Sequence, residues 1–164
     1  EMLRSLVGSE MCIRDRYTEM EDVSVDEILD ELLPDLMDIY EHKQVRLIRK
    51  REEQPFIIRC NHSLAQILVS NLVKNSLLHN REGGELQVFT TPASLVIRNT
   101  GDAPLDGEKL FRRFYHGMDG KKDSTGLGLA IARSIALSSS LKLTYEWQDG
   151  MHTFRLVKES KIYC

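Results

Sequence analysis

The stretch that most constrains this chain is STGLGLAIARSI, Ser124–Ile135, in which Gly126 and Gly128 lead directly into an apolar, alanine-rich segment. Glycine lets backbone approach a ligand closely and tolerates positive φ. The first turn of a helix presents N–H groups without intrahelical partners and the positive end of the helix dipole. A glycine pair followed by a helix therefore offers a place for phosphate, although most short Gly-x-Gly pieces are only turns. What decides between the two is whether the rest of the chain supplies what a nucleotide needs.

At 164 residues the chain has room for one ordinary domain and hardly two. Its net charge of −3 excludes nonspecific nucleic-acid binding as the main activity. Cys12, Cys60 and Cys164 are too widely spaced for a metal site or a disulfide framework, which suits a reducing, cytoplasmic setting. No apolar run reaches the roughly 20 residues of a membrane helix, so no direct membrane insertion is expected. Leu6–Arg16 has neither helical nor strand period, and residues 1–21 read as an N-terminal remnant, non-native or adapter-derived. Residues 22–159 are expected to form the domain and 160–164 a tail.

Val25, Ile28, Leu29, Leu32, Leu36 and Ile39 recur at helical spacing, with Ser24 and Glu27 as a capping box. Pro34 is expected to kink or interrupt that helix. Val45–Ile48 and Phe56–Cys60 read as strands joined as a hairpin through the charged Arg49–Glu53. A second helix spans Leu64–Asn80, then strands Leu86–Thr90 and Leu95–Arg98 flank a turn at Pro92. Asn99–Gly107 reads as loop and Lys109–Tyr115 as a short helix. After the glycine-led helix, Lys142–Trp147 and Thr153–Val157 form a hairpin about Asp149-Gly150. The expected fold is α+β: a two-layer sandwich, its mostly antiparallel sheet covered on one face by helices.

On the helix Leu64–Asn80, Ser63, Gln66, Ser70 and Lys74 share one arc, with Leu64, Ile67, Leu68 and Leu78 opposite. Asn71 and Asn75, one turn apart, fall within the apolar arc. Carboxamides there either tie down backbone or face a ligand cavity, where their oxygens suit Mg²⁺. In VIRNTGDAP, Asn99 ends a strand at a turn; by itself an ordinary Asx turn is the better reading. In LFRRFY, Phe111 and Phe114 form an aromatic pair that is either a small core anchor or a clasp over a phosphate site.

These four pieces, in this order, resemble the N, F and two G boxes of the ATP-binding catalytic domain of bacterial sensor histidine kinases. That domain has the Bergerat-type fold and belongs to the wider superfamily that includes gyrase and MutL. NLVKNSLLHN resembles the N box, NTGDAP the first G box, LFRRFYHG the F box and STGLGLAIARSIA the second G box, and the resemblance covers about residues 22–158. It implies the cofactors ATP and Mg²⁺. It implies that Asn75 is the Mg²⁺ ligand, that Asn71 lies beside the phosphates as the second catalytic residue, and that His79 is near them. Asn99 takes the adenine-amine position, with Gly101 and Ala103 beside the base. Asp102–Thr125 becomes an ATP lid anchored by Phe111 and Phe114, with Tyr115 and Thr125 reaching the nucleotide. Gly126, Leu127, Gly128 and Leu129 receive the phosphates.

Three positions depart from the family's pattern. Asn99 stands where Asp is usual, which predicts weaker or altered adenine binding. Leu78 replaces a frequent basic residue, leaving phosphate contact to His79, Arg81, Lys121 or Lys122. Ser124 replaces a frequent glycine and stiffens the lid slightly. Asn71 also stands where the ATPase branches carry a water-activating Glu, which favours transfer to a protein over hydrolysis. The implied activity is phosphorylation of a histidine in two-component signalling. None of His42, His62, His79, His116 or His152 has the phosphoacceptor context, a following acid and then a base. The acceptor hairpin is therefore expected to lie outside this chain, leaving it inactive alone. The implied partners are that histidine-bearing dimerisation domain and a response regulator. The expected place is the cytoplasm, with inner-membrane anchoring of the parent protein left open. An anti-sigma-factor-type serine kinase and a degenerate nucleotide-sensing or partner-docking module are the alternatives.

Overall fold

The computed structural model describes residues 19–112 and 127–159. The first strand, β1 (Glu21–Ser24), runs into helix α1 (Val25–Ile39), where the Ser24 hydroxyl accepts from the Glu27 N–H at 3.3 Å. Val25, Ile28, Leu29, Leu33 and Leu36 form the buried stripe; Leu32 is only half-buried and Ile39 is exposed, both unlike the sequence expectation. Pro34 does not interrupt α1. It sits on the exposed side, so the Asp30 carbonyl that loses its N–H partner is on the solvent side as well.

Strands β2 (Arg46–Arg51) and β3 (Ile57–Cys60) follow, but they do not form the expected hairpin. β2 pairs in parallel with β4 (Glu85–Thr91), and β3 pairs antiparallel with β1. The charged Arg49–Arg51 segment continues β2 instead of turning the chain. The cause is the larger ladder open to β2, six residue pairs along β4, while the short β1 escaped sequence reading. Parallel neighbours need a crossover; here β3 and helix α2 (His62–Leu78) supply it.

β5 (Ser94–Thr100), helix α3 (Gly128–Ser138), β6 (Leu141–Gln148) and β7 (Met151–Lys158) complete the domain. The main sheet has the order β2-β4-β5-β7-β6 and is antiparallel except at its β2 edge. Asp149 and Gly150, at φ 54° and 72°, make the tight turn between β6 and β7 that their sequence predicts.

β4 and β5 bury alternate residues, so Leu86, Val88, Leu95 and Ile97 join Leu68, Leu72, Ala132 and Ile135 in one core. Each fully buried Leu or Ile contributes about 1.5–3 kcal/mol. Helices thus cover one face of a mostly antiparallel sheet, the expected two-layer α+β arrangement. Asn99 and Thr100 belong to β5 rather than to a loop. Residues 107–111 form turns, not the expected helix over Lys109–Tyr115, as far as its described part extends. Among the described residues no helix is long and apolar enough to cross a membrane.

Candidate nucleotide site

The site is built where α2 and α3 meet above one end of the sheet. The two helices pack against each other, with Cys60, at the end of β3 just before α2, beside Ser139 past the end of α3 (Sγ to Oγ 3.2 Å). That antiparallel packing carries Gly128, the first residue of α3, to the middle of α2. A Cβ on Gly128 would stand 3.5 Å from Asn71 Oδ1, so the first turn of α3 faces that carboxamide. Leu127 occupies the N-cap of α3 and gives no side-chain cap, and the first turn holds no acidic residue. Among the described residues, then, nothing charged or capping stands between the first turn of this helix and Asn71.

The burial of α2 sharpens the helix-arc reading. The buried stripe is Leu64, Ala65, Leu68, Val69, Leu72, Val73, Ser76 and Leu77. Asn71 and Asn75 are half-buried on the flank beside it, with the exposed Ile67 and the half-buried Leu78. The apolar arc drawn from sequence was rotated from the true core face, because Ala65, Val69 and Val73 were not in it. On this flank the two carboxamides escape the burden of a polar group inside the core. His79 is the C-cap of α2, its N–H bonded to Asn75 O at 3.1 Å.

Asn99 lies on the helix-facing side of β5, 1% exposed. Register places it in a row across four strands: Leu86, Asn99, His152 and Trp147. Its Nδ2 donates to Thr100 O at 3.2 Å. His152, buried beside it, was not among the sequence candidates. Continuing the Phe154 and Leu156 stripe by one more alternation would have reached it. A Cβ on Gly101 would come within 2.2 Å of His152 Nε2, so Gly101 has to be glycine while His152 keeps this rotamer.

Residues 102–112 are attached to this floor. Leu105 N–H donates to the Tyr145 hydroxyl at 2.9 Å, and that hydroxyl lies 2.8 Å from His152 Nδ1. Leu110 is 1% exposed. Phe111 meets Phe154 edge-on at 6.4 Å, and the Arg133 guanidinium lies 5.6 Å from the Phe111 ring centre. Phe111 is therefore packed on the sheet, while Ala103 is exposed. Leu127 and Leu129 are half-buried at the start of α3. Phe114, Tyr115, Thr125 and Gly126, with Lys121, Lys122 and Ser124, lie outside the described residues.

A cleft of about 570 Å³ opens at the same end of the sheet, bounded by Arg46, Arg81, Glu85, Gly101 and the Asp149–Gly150 turn. It does not take in Asn71, Asn75 or Asn99, and both of its arginines are paired. Arg46 pairs with Glu85 at 2.9 Å and Arg81 with Asp102 at 3.8 Å. The first turn of α3 and the carboxamides of α2 thus lie apart from this cleft.

Two polar clusters that sequence reading missed hold this frame. Lys43 Nζ donates to the carbonyls of Leu77, Leu78 and Asn80, closing the C-terminal end of α2. Asp26 is buried. It accepts from Arg49 at 2.6 Å, from the Thr90 hydroxyl at 2.5 Å and from the Phe56 N–H at 2.7 Å. Burial pushes its carboxyl pKa up, but the bonds from Thr90, Phe56 and Arg49 outweigh that and hold it below its ordinary value.

The family described as "Histidine kinase-, DNA gyrase B-, and HSP90-like ATPase" matches residues 60–159. The sensor histidine kinase RppB of Synechocystis is 36% identical over 95 residues, 52% of this chain and 21% of that protein. The sensor-like histidine kinase SenX3 of Mycobacterium tuberculosis is 27% identical over 133 residues, 74% of this chain and 32% of its own length. The chain thus spans about a fifth to a third of these relatives. The catalytic domain of histidine kinase ThkA superposes with a TM-score of 0.75 at 18% identity, covering 86% of this chain and 96% of that one. The mycobacterial sensor histidine kinase MprB gives 0.73 at 21%, covering 84% and 97%. Their agreement on the fold, and the match over residues 60–159, place this chain in the histidine kinase-, DNA gyrase B- and HSP90-like ATPase family.

Proposed function

We propose that this chain binds Mg-ATP and supplies the γ-phosphoryl group for a histidine on a helical hairpin outside it, in two-component signalling. The observation that carries the proposal is the first turn of α3, which faces Asn71 Oδ1 and, among the described residues, carries no side-chain cap and no acid. That geometry suits a polyphosphate.

Mg²⁺ fits the donor set. Asn71 and Asn75 offer neutral, half-buried oxygens, and no group of three His, Cys, Asp or Glu forms among the described residues. Asn75 would hold the ion, with phosphates and water completing the shell. The ion neutralises phosphoryl charge when bound. Asn71 would lie along the phosphates, with His79 nearby. Asn99 would face the purine amine, and Gly101 and Ala103 would border the base. Phe111 would hold the root of a lid that includes Phe114 and Tyr115, and Thr125–Leu129 would meet the phosphates. Asn71 is no base, so the chain positions and neutralises while the acceptor supplies the nucleophile.

The partners under this reading are the histidine-bearing dimerisation domain and a response regulator, and the place is the cytoplasm. A ThkA structure in complex with the response regulator TrrA supports the second partner. Residues 22–159 would be the functional unit. Calorimetric titration with Mg-ATP tests the reading. Binding is expected in the wild type and a loss of tenfold or more in Asn75→Ala, with negligible steady-state hydrolysis. A wild-type chain that takes up no nucleotide overturns it.

A further inference from the structure

We infer that the base position takes 6-oxopurines as well as adenine. The inference rests on the reading that Asn99 faces the purine, and it deepens that reading by naming the substrate class. Asn99 is buried on the helix-facing side of β5, at the strand end beside Gly101. One of its Nδ2 hydrogens is engaged by Thr100 O at 3.2 Å. That leaves Oδ1 as an acceptor and the second N–H as a donor on one edge.

Adenine offers a donor at its 6-amino group next to an acceptor at N1. Hypoxanthine offers the reverse, an acceptor at O6 next to a donor at N1. A donor-acceptor edge pairs with either base through two hydrogen bonds, in the way carboxamides pair bidentately with nucleobase edges. A carboxylate only accepts, so it suits the amine and repels O6. Exchanging one base for the other requires the carboxamide to turn over and give up its bond to Thr100 O. The turned carboxamide also sets Oδ1 against the Thr100 carbonyl, so the exchange costs the 6-oxopurine about ten- to a hundredfold in affinity. Leu86 flanks Asn99 on one side, and the His152 ring on the other is braced by Tyr145.

The test is calorimetric titration of the whole chain with Mg-ATP and with Mg-inosine triphosphate, repeated on Asn99→Asp. The wild type is expected to hold the two nucleotides within about a hundredfold of each other. Asn99→Asp is expected to widen the preference for ATP by a further tenfold or more, with its melting temperature recorded as a check on folding. Wild-type discrimination beyond a hundredfold against the inosine nucleotide, with ATP binding intact, overturns this inference alone. An unchanged ratio in a folded Asn99→Asp variant also overturns it. If the wild type takes up neither nucleotide, the nucleotide-site reading falls and this inference falls with it.

Discussion

Two helix ends lie close to the candidate site and are treated in opposite ways. The C-terminus of α2 is closed by Lys43, whose ammonium donates to three carbonyls from another part of the chain. The N-terminus of α3 has no side-chain cap and no first-turn carboxylate. Both ends carry backbone groups that need partners. Among the described residues, side chains supply them at one end and not at the other. The difference separates polar groups that hold the fold from polar groups to which the proposed function assigns a ligand. Asp26, with three donors, belongs with Lys43; Asn71 and Asn75, half-exposed on the flank of α2, belong with the start of α3.

The largest effect expected is at Asp26. Asp26→Ala strands Arg49 without its buried partner and should cost about 3 kcal/mol or more in chemical denaturation. The same carboxylate sets a pH dependence. Its folded-state pKa is depressed, so its stabilisation is complete above the ordinary value of 3.8 and is lost as pH falls below that, through the folded value. Denaturation curves from pH 6 down to about 2.5 should show an acid limb that Asp26→Asn reduces. An acid limb unchanged in Asp26→Asn would remove Asp26 from the fastening class.

Lys43→Met should come next, at about 2 kcal/mol, because charged hydrogen bonds to otherwise orphaned carbonyls are lost while the aliphatic stem is kept. A loss below about 0.5 kcal/mol would show that water closes this helix end as well as lysine does, and the contrast between the two ends would dissolve. The smallest effect has the opposite sign. Ala130→Glu adds a carboxylate to the first turn of α3 and should stabilise the free chain by about 0.5 kcal/mol through the helix dipole. It should also weaken Mg-ATP binding by tenfold or more. Higher stability with unaltered nucleotide affinity would mean that phosphate does not use this helix start.

Much of this was legible in the sequence, for reasons that differ by element. α1, α2 and the β6–β7 hairpin rest on local signals: Ser24 and Glu27, a long apolar period, and Asp149-Gly150. The pairing of β2 was not legible. Val45–Ile48 and Phe56–Cys60 are close in sequence, and nothing local says that their partners are Glu85–Thr91 and Glu21–Ser24. The candidate site shows the same division. Asn71 and Asn75 stood out as carboxamides in an apolar pattern, whereas Lys43 was one more charge in a polar turn. Its role comes from carbonyls more than thirty positions away. His152 was hidden in a strand whose alternation was read two residues too short.

The space under Gly101 also limits how this chain can vary. With His152 in place, even one methyl group at position 101 would meet the imidazole at about 2.2 Å. Position 152 in turn answers to Tyr145, whose hydroxyl also holds the Leu105 amide. Position 101 therefore shares one volume with two positions of the β6–β7 hairpin more than forty residues away. A larger residue at 101 becomes admissible only after 152 shrinks or turns away, and that move takes a support from Tyr145. In descendants of this chain, substitutions here would have to arrive in a set order, with the histidine yielding first.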